Sequence, residues 1–315
     1  HWLMTGKRSI EASNASTTQL LDPRTRQWSS ELISRFQLPA KIFQDVTEPG
    51  CQLGVIQPSV AALTGLDNVP VIIPATHDTA SAVIAVPVND FAPEKPNWCY
   101  ISSGTWSLMG CELAQPRINA KCAELNFTNE GGIQGSTRLL KNIGGLWIFQ
   151  QIRKSLERRQ AAESWDVMVE RALAAKPFEL LINPDDAGRT GQKAPESNGV
   201  LYRGALEGLA LRYRACLEML ETLVGNRIDV IHIVGGGSQN ELLCQMTADA
   251  CDRVVVAGPV EATAAGNIAV QMMGTGQLGS IVEARELIRT SFGTKQFDPA
   301  DRSAWDDAAE KFKSL

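Results

Sequence analysis

Pro74-Ala75-Thr76-His77-Asp78-Thr79-Ala80-Ser81-Ala82-Val83 decides how this chain is read. It follows the apolar run Val69 to Ile73, which reads as a strand. It opens a run of small residues that reads as a helix from Thr79 to about Val86. An acidic residue therefore stands at a strand-to-helix corner. There the free N–H groups and the dipole of the helix favour a carboxylate by roughly 0.3–1 kcal/mol. An Asp at such a corner is most often a plain N-cap. It is also where a general base would be held, and a positioned carboxylate is worth ~10²–10⁴-fold when a hydroxyl must lose its proton. The segment alone leaves both roles open.

Working outward, the next apolar run ends in Ile101-Ser102-Ser103-Gly104-Thr105-Trp106-Ser107-Leu108. The Ser-Ser-Gly-Thr turn lies between two strand-like runs, Trp98 to Ile101 and Trp106 to Met109. Glycine allows a tight turn whose backbone N–H groups converge on an anion, and the hydroxyls add donors. Any Ser-Gly-Thr hairpin has this composition, so the loop gains meaning only beside the Asp78 corner.

A third element is Asp229-Val230-Ile231-His232-Ile233-Val234, followed by Gly235-Gly236-Gly237-Ser238-Gln239-Asn240 and a helix from Glu241 to Cys251. A buried strand running into three glycines and then a helix lets a ligand approach the backbone at a helix N-terminus. The dinucleotide spacing G-x-G-x-x-G fails at Asn240, and no Lys-Ser or Lys-Thr follows to make a Walker A loop. The structural alternative is that the glycines merely close a strand–helix turn.

The remaining pattern is α/β. Pro87 to Pro96, with prolines at 87, 93 and 96, reads as a connection between domains. A β-rich piece from about 97 to 138 follows. Leu146, Phe149, Ile152 and Leu156 mark an amphipathic helix over Leu146 to Arg158. Residues 183 to 200 read as a loop, and Tyr202 to Val224 as a long apolar-striped helix. Strand and helix then alternate through Val230, Glu241, Val254 and Ala262, a spacing that predicts parallel pairing with helical crossovers. No internal repeat is present.

Composition narrows the classes. The chain has 315 residues, 44% of them hydrophobic, and a net charge of −5, with a pI near 5.4. It is long enough for about two domains, and its acidic balance argues against broad nucleic-acid binding. No apolar run reaches the ~18 residues that span a bilayer. Together these features predict a cytoplasmic enzyme with neither a nucleic-acid nor a membrane partner. Seven cysteines without a C-x-x-C pair predict reduced, mostly buried thiols and no zinc site. Of the three histidines, His232 alternates within an apolar strand and reads as a packing residue. No metal-ligating residues are assigned.

The three elements, in this order, resemble the FGGY carbohydrate kinases of the actin-like ATPase superfamily, and within them the rhamnulokinase subfamily. The supporting residues are Thr76 to Val83, Ser102 to Gly110, Asn126-Phe127-Thr128-Asn129-Glu130-Gly131-Gly132 and Leu139-Leu140-Lys141-Asn142-Ile143. The His-Asp-Thr and Ser-Ser-Gly-Thr-Trp segments are also similar to fuculokinase; the Asn126 and Leu139 blocks favour the former. The resemblance runs from Asn14 to about Phe297. It implies an actin-like ATPase (ribonuclease H-like) α/β fold and ATP-dependent phosphorylation of L-rhamnulose at its 1-position, with ATP and Mg²⁺ as cofactors. L-fuculose or another ketose is the alternative substrate.

Carried onto positions, the resemblance implies that Asp78 is the catalytic base, with His77, Asp78, Thr79 and Asn142 binding the sugar. It implies ATP contacts from Thr105, Gln150, Gly235, Gly236, Gly237 and Asn240. Asn183-Pro184-Asp185-Asp186 matches a family loop, but Ala187-Gly188-Arg189 breaks its continuation, and that loop is given no role. One departure matters. Such kinases begin with an Asp-x-Gly-Thr hairpin for the metal-bound phosphates, whereas this chain opens at His1-Trp2-Leu3-Met4-Thr5-Gly6-Lys7. The reading therefore expects a truncated first domain, residues 1–90, and a complete second domain, residues 91–315, of a longer kinase. Residues 1–315 alone are expected to lack kinase activity. A non-catalytic sugar- or nucleotide-binding fragment is the competing expectation; an actin-like scaffold fits poorly, since it needs no His-Asp-Thr.

Overall fold

The computed structural model describes residues 1–185, 195–300 and 302–315. Asp186 and the Ala187-Gly188-Arg189 continuation lie outside them. The chain folds into two compact units that interleave along the sequence. The first comprises His1–Pro96, Cys111–Leu140 and Glu261–Gly293; the second comprises Asn97–Gly110, Lys141–Val260 and Thr294–Leu315. A single cut at residue 90 divides the chain by sequence order, whereas these units divide it by compactness.

The second unit is built round Val230–Val234, a run of β-branched residues and one histidine. It pairs in parallel on both sides, with Trp98–Ser103 (Val230 opposite Trp98) and with Val254–Ala257 (Val230 opposite Val254). A strand flanked in this way is covered on both faces, which is why it reads as a continuous apolar run; Ile231, Ile233 and Val234 are fully buried. His232 is buried too and meets Trp98 edge to face at 6.1 Å. Lys295–Phe297 closes one side antiparallel to Val254–Ala257, and the hairpin partner Ser107–Leu113 continues the other.

The helices follow their local signals. Glu241–Cys251 begins on an Asn240 cap, whose Oδ1 accepts from the Leu243 N–H. Trp147–Arg158 follows the expected amphipathic spacing. The long helix is Asn198–Val224, starting four residues before the sequence pattern places it. Ser197 caps it by accepting from the Val200 N–H, so a Ser-Asn-Gly stretch that reads as loop is the helix start. It ends at Gly225 in the left-handed region, where glycine is the residue of least strain.

The first unit holds short paired strands and small helices. Ile10–Glu11 pairs in parallel with Val46–Thr47, Gln52–Val55 runs antiparallel to Pro70–Ile72, and Thr128–Gly131 runs antiparallel to Thr137–Leu140. Its central packing joins Asp78–Ile84 to Ala262–Gly274. Every residue from Thr79 to Ile84 is buried, and a Cβ on Gly266 would overlap the Ser81 carbonyl oxygen. The proline-rich connection is anchored by Arg285, which is bonded to the Asp90 carbonyl, to Val83 O at 3.3 Å and to Glu112 at 3.0 Å.

Among the described residues no helix is long and apolar enough to cross a membrane. All seven cysteines are free thiols, six buried and Cys51 exposed. Burial pushes the Cys216 and Cys244 thiols up to about 12.

Candidate functional site

In the first unit the corner forms where Pro70–Ile72 gives way to the helix Asp78–Ile84. His77 occupies the N-cap position with extended backbone, and Asp78 is the first helical residue. The Asp78 side chain is 79% exposed, at the head of a helix whose other residues are buried. Its Oδ1 accepts from the Thr79 N–H at 2.7 Å and lies 3.5 Å from His77 Nε2. One oxygen therefore serves the helix start, and these contacts leave Oδ2 free. Capping and chemistry can be divided between the two oxygens of one carboxylate.

The loop before Asp78 is fastened from below. Glu11, buried at the head of the helix Ala12–Thr17, accepts from the backbone N–H groups of Ser13 and Asn14 and from the Thr76 N–H and hydroxyl. Ser13 Oγ accepts from the His77 N–H at 3.2 Å. Beside the imidazole lies a buried ion pair, Arg138 Nη2 to Glu130 Oε2 at 3.0 Å. The same Arg138 nitrogen is 3.1 Å from His77 Nδ1. Burial and the Arg138 charge hold the imidazole below its usual pKa, against the opposing pull of Glu130, Asp78 and Glu11.

In the second unit the Ser-Gly-Thr turn and the triple glycine are brought together. The Gly104 N–H is used within the turn, on Trp106 O at 2.8 Å. The Gly104 and Thr105 carbonyls accept from the Leu146 and Trp147 N–H groups, fixing the start of the helix Trp147–Arg158. Thr105 Oγ1 donates to Gln150 Oε1 at 3.2 Å. Gly144 and Gly145 make this junction possible. A Cβ on Gly145 would sit 2.6 Å from Ser107 Oγ, and one on Gly144 2.7 Å from Pro184 O.

Gly236 and Gly237 open a single 3₁₀ turn, Gly236–Gln239, entered through Gly235 at φ 85°. They are not equivalent. A Cβ on Gly237 would overlap Ser103 Oγ, and one on Gly235 would lie 3.0 Å from Ser103 O, so both are required by packing against the Ser-Gly-Thr strand. Gly236 has nothing within 4 Å of its missing Cβ. It opens onto a cavity of about 500 Å³ whose lining includes Gly104, Gln150, Trp165, Gly237 and Asn240, a volume suited to a small-molecule ligand. Trp165 is stacked on Phe149 at 5.8 Å, and the Arg153 guanidinium lies 4.9 Å over its ring.

Four of the expected nucleotide contacts, Gln150, Gly236, Gly237 and Asn240, thus line one cavity. Thr105 reaches it through Gln150, and Gly235 forms the turn behind it. His77, Asp78 and Thr79 are consecutive at the corner in the first unit. Asn142 belongs to the second unit and is exposed on the strand Thr137–Ile143. Sequence reasoning missed Glu11, Ser13 and Arg138, and gave Glu130 no role. A cation beside the apolar pair Leu139-Leu140 in the strand Thr137–Ile143 was the available signal for Arg138. The unassigned Asp185 pairs with Arg212 at 2.6 Å and accepts from the Gly144 N–H at 3.0 Å.

Residues 1–85 match the FGGY family of carbohydrate kinases, N-terminal domain, and residues 99–275 match its C-terminal domain. The chain is 41% identical to a rhamnulokinase from Bacteroides thetaiotaomicron, over 99% of this chain and 66% of that protein. It is 39% identical to a rhamnulokinase from Bacillus subtilis, over 95% of this chain and 64% of that one. The chain thus spans about two thirds of the length of these relatives. A crystal structure of ligand-bound xylulose kinase from Lactobacillus acidophilus superposes with a TM-score of 0.80 at 16% identity, over 99% of this chain and 65% of that chain. The fold is the actin-like ATPase fold.

Proposed function

Because this chain belongs to the FGGY family of carbohydrate kinases, we propose that the protein is an ATP-dependent ketose kinase that converts L-rhamnulose to L-rhamnulose 1-phosphate. The choice of ketose is supported by the rhamnulokinase relatives. The observation that carries the chemistry is Asp78, an exposed carboxylate at the head of a buried helix with one oxygen tied down and one free. Asp78 Oδ2 takes the proton of the ketose hydroxyl as the phosphoryl group arrives. His77 and Thr79 hold the sugar beside it.

ATP is assigned to the 500 Å³ cavity. The open side of Gly236 accepts the nucleoside, Gln150 and Asn240 contact it through their amides, and Trp165, half-exposed in the cavity wall, gives the base an apolar contact. Such positioning accounts for most of the catalysis in phosphoryl transfer. Among the described residues no group of three or more His, Cys, Asp or Glu can hold a metal ion. A magnesium ion needs no more than one or two carboxylates beside nucleotide phosphates and water, and Mg²⁺ is assigned to the nucleotide that carries it.

The test is Asp78→Asn in the intact protein. It should keep ATP and sugar binding while lowering turnover at least about a hundredfold. Turnover close to that of the parent would reduce Asp78 to a capping residue.

A further inference from the structure

The geometry points to Arg138 and Glu130 as positioning residues that hold His77 as a neutral imidazole with its proton on Nε2, beside Asp78. The inference rests on the reading of Asp78 as the base.

A guanidinium can only donate hydrogen bonds. Arg138 Nη2 lies 3.1 Å from His77 Nδ1, closer than the 3.5 Å from that nitrogen to Glu130 Oε2. Nδ1 must therefore be the acceptor, and the ring proton is left on Nε2. Nε2 in turn faces Asp78 Oδ1 at 3.5 Å. Arg138 is itself held, since its Nη2 bonds Glu130 Oε2 at 3.0 Å and its Nε bonds Gly131 O at 3.0 Å. Its side chain is 1% exposed, and its Nη1 is buried without a hydrogen-bond partner among the described residues. Leaving a buried donor unmet costs stability, and apolar replacement of a buried pair is often neutral or stabilising. Packing alone does not call for this arginine.

The charge matters as much as the hydrogen bond. The groups facing His77 are Arg138 and Glu130 from the paired strands, Asp78 from the helix that His77 caps, and Glu11 from the strand Ile10–Glu11 at the head of the helix Ala12–Thr17. An imidazolium 3.5 Å from Asp78 would weaken that carboxylate as a base. Burial and Arg138 oppose that protonation. Without Arg138, Nδ1 loses its donor and the charge that most opposes protonation, while Asp78 and Glu11 still favour the cation even when Glu130 is removed with it. The imidazole pKa then rises, and the acid limb of activity moves to higher pH.

The experiment begins with long-range ¹H–¹⁵N spectra of the unliganded protein between pH 6.5 and 8, with the His77 signals identified through His77→Gln. A neutral ring protonated at Nε2 throughout is expected. An Nδ1–H tautomer, or an imidazolium at pH 7.5, would overturn the inference whatever the activity shows. The pair is then removed as Arg138→Met with Glu130→Gln, which leaves no unpaired buried charge, and separately as Arg138→Lys, which keeps charge and donor. In the double variant kcat at pH 6.5 should fall roughly tenfold relative to pH 8, with KM for ATP unchanged, and Arg138→Lys should restore much of the profile. A parental tautomer and pH profile in the double variant would overturn the inference. If neither variant folds, the parental spectrum decides. Asp78→Asn separates the two readings, because retained turnover there refutes the base while leaving the His77 tautomer to stand or fall by its own spectrum.

Discussion

At the scale of the residue, identical side chains do different work. Gly235 and Gly237 are glycines because the Ser103 strand passes too close for a Cβ, while Gly236 is open to the cavity. Substitution separates the two demands. Gly236→Val should fold normally and raise KM for ATP several-fold more than KM for the ketose. Gly237→Ala should lower stability by about 1–3 kcal/mol, because the new methyl meets backbone and a buried hydroxyl. Steady-state kinetics and urea midpoints on the two variants check this. Equal effects of Gly236→Val on both substrates would make Gly236 a structural turn residue like its neighbours.

At the scale of the element, the helix carrying Asp78 owes its position to the helix Ala262–Gly274. Ala80, Ala82, Ala265 and Ala269 are buried in this small-residue environment, and Gly266 faces the Ser81 carbonyl too closely for any side chain. The gain in helix propensity from Gly to Ala, about 1 kcal/mol, is outweighed when the methyl displaces backbone. Gly266→Ala is therefore expected to destabilise the protein by at least about 1 kcal/mol, and to lower kcat by shifting the corner that aims Asp78. A urea midpoint at or above that of the parent would show that the helices separate without cost. The same logic applies to Arg285, which ties three segments through one guanidinium.

At the scale of the whole molecule, each unit gathers residues far apart in sequence. Glu11, His77, Glu130 and Arg138 come together in the first, and Gly104, Gln150 and Gly236 in the second. Ligand footprints should follow that division. In hydrogen-exchange measurements on the intact protein, a non-hydrolysable ATP analogue should protect amides over Gly236–Gln239 and at the start of Trp147–Arg158. L-rhamnulose should protect Thr76 to Thr79. Nucleotide protection confined to the Asp78 corner would reverse the assignment of the two ligands.

Local patterns in the sequence fix many of the elements and place a carboxylate and two glycine-containing loops at their junctions. The strand Val230–Val234, the helix Glu241–Cys251 and the helix Trp147–Arg158 are legible because a continuous apolar run, an Asn cap and 3.6-residue spacing act within a few residues. Asp78 is legible as a carboxylate at a strand-to-helix corner for the same reason. Only the tertiary structure decided that Gly236 is open while Gly235 and Gly237 are packed, since all three look alike until the Ser103 strand is laid across them. Only it decided that Arg138, 61 residues from His77, donates to that imidazole, and that Glu11 fastens the Thr76 loop. In sequence Arg138 is one of two cations in the strand Thr137–Ile143, and its residue type names no partner. Its burial, its pairing with Glu130 and its reach to His77 depend on which segments lie against it, and contacts over such separations are set by packing of the whole chain rather than by local preference.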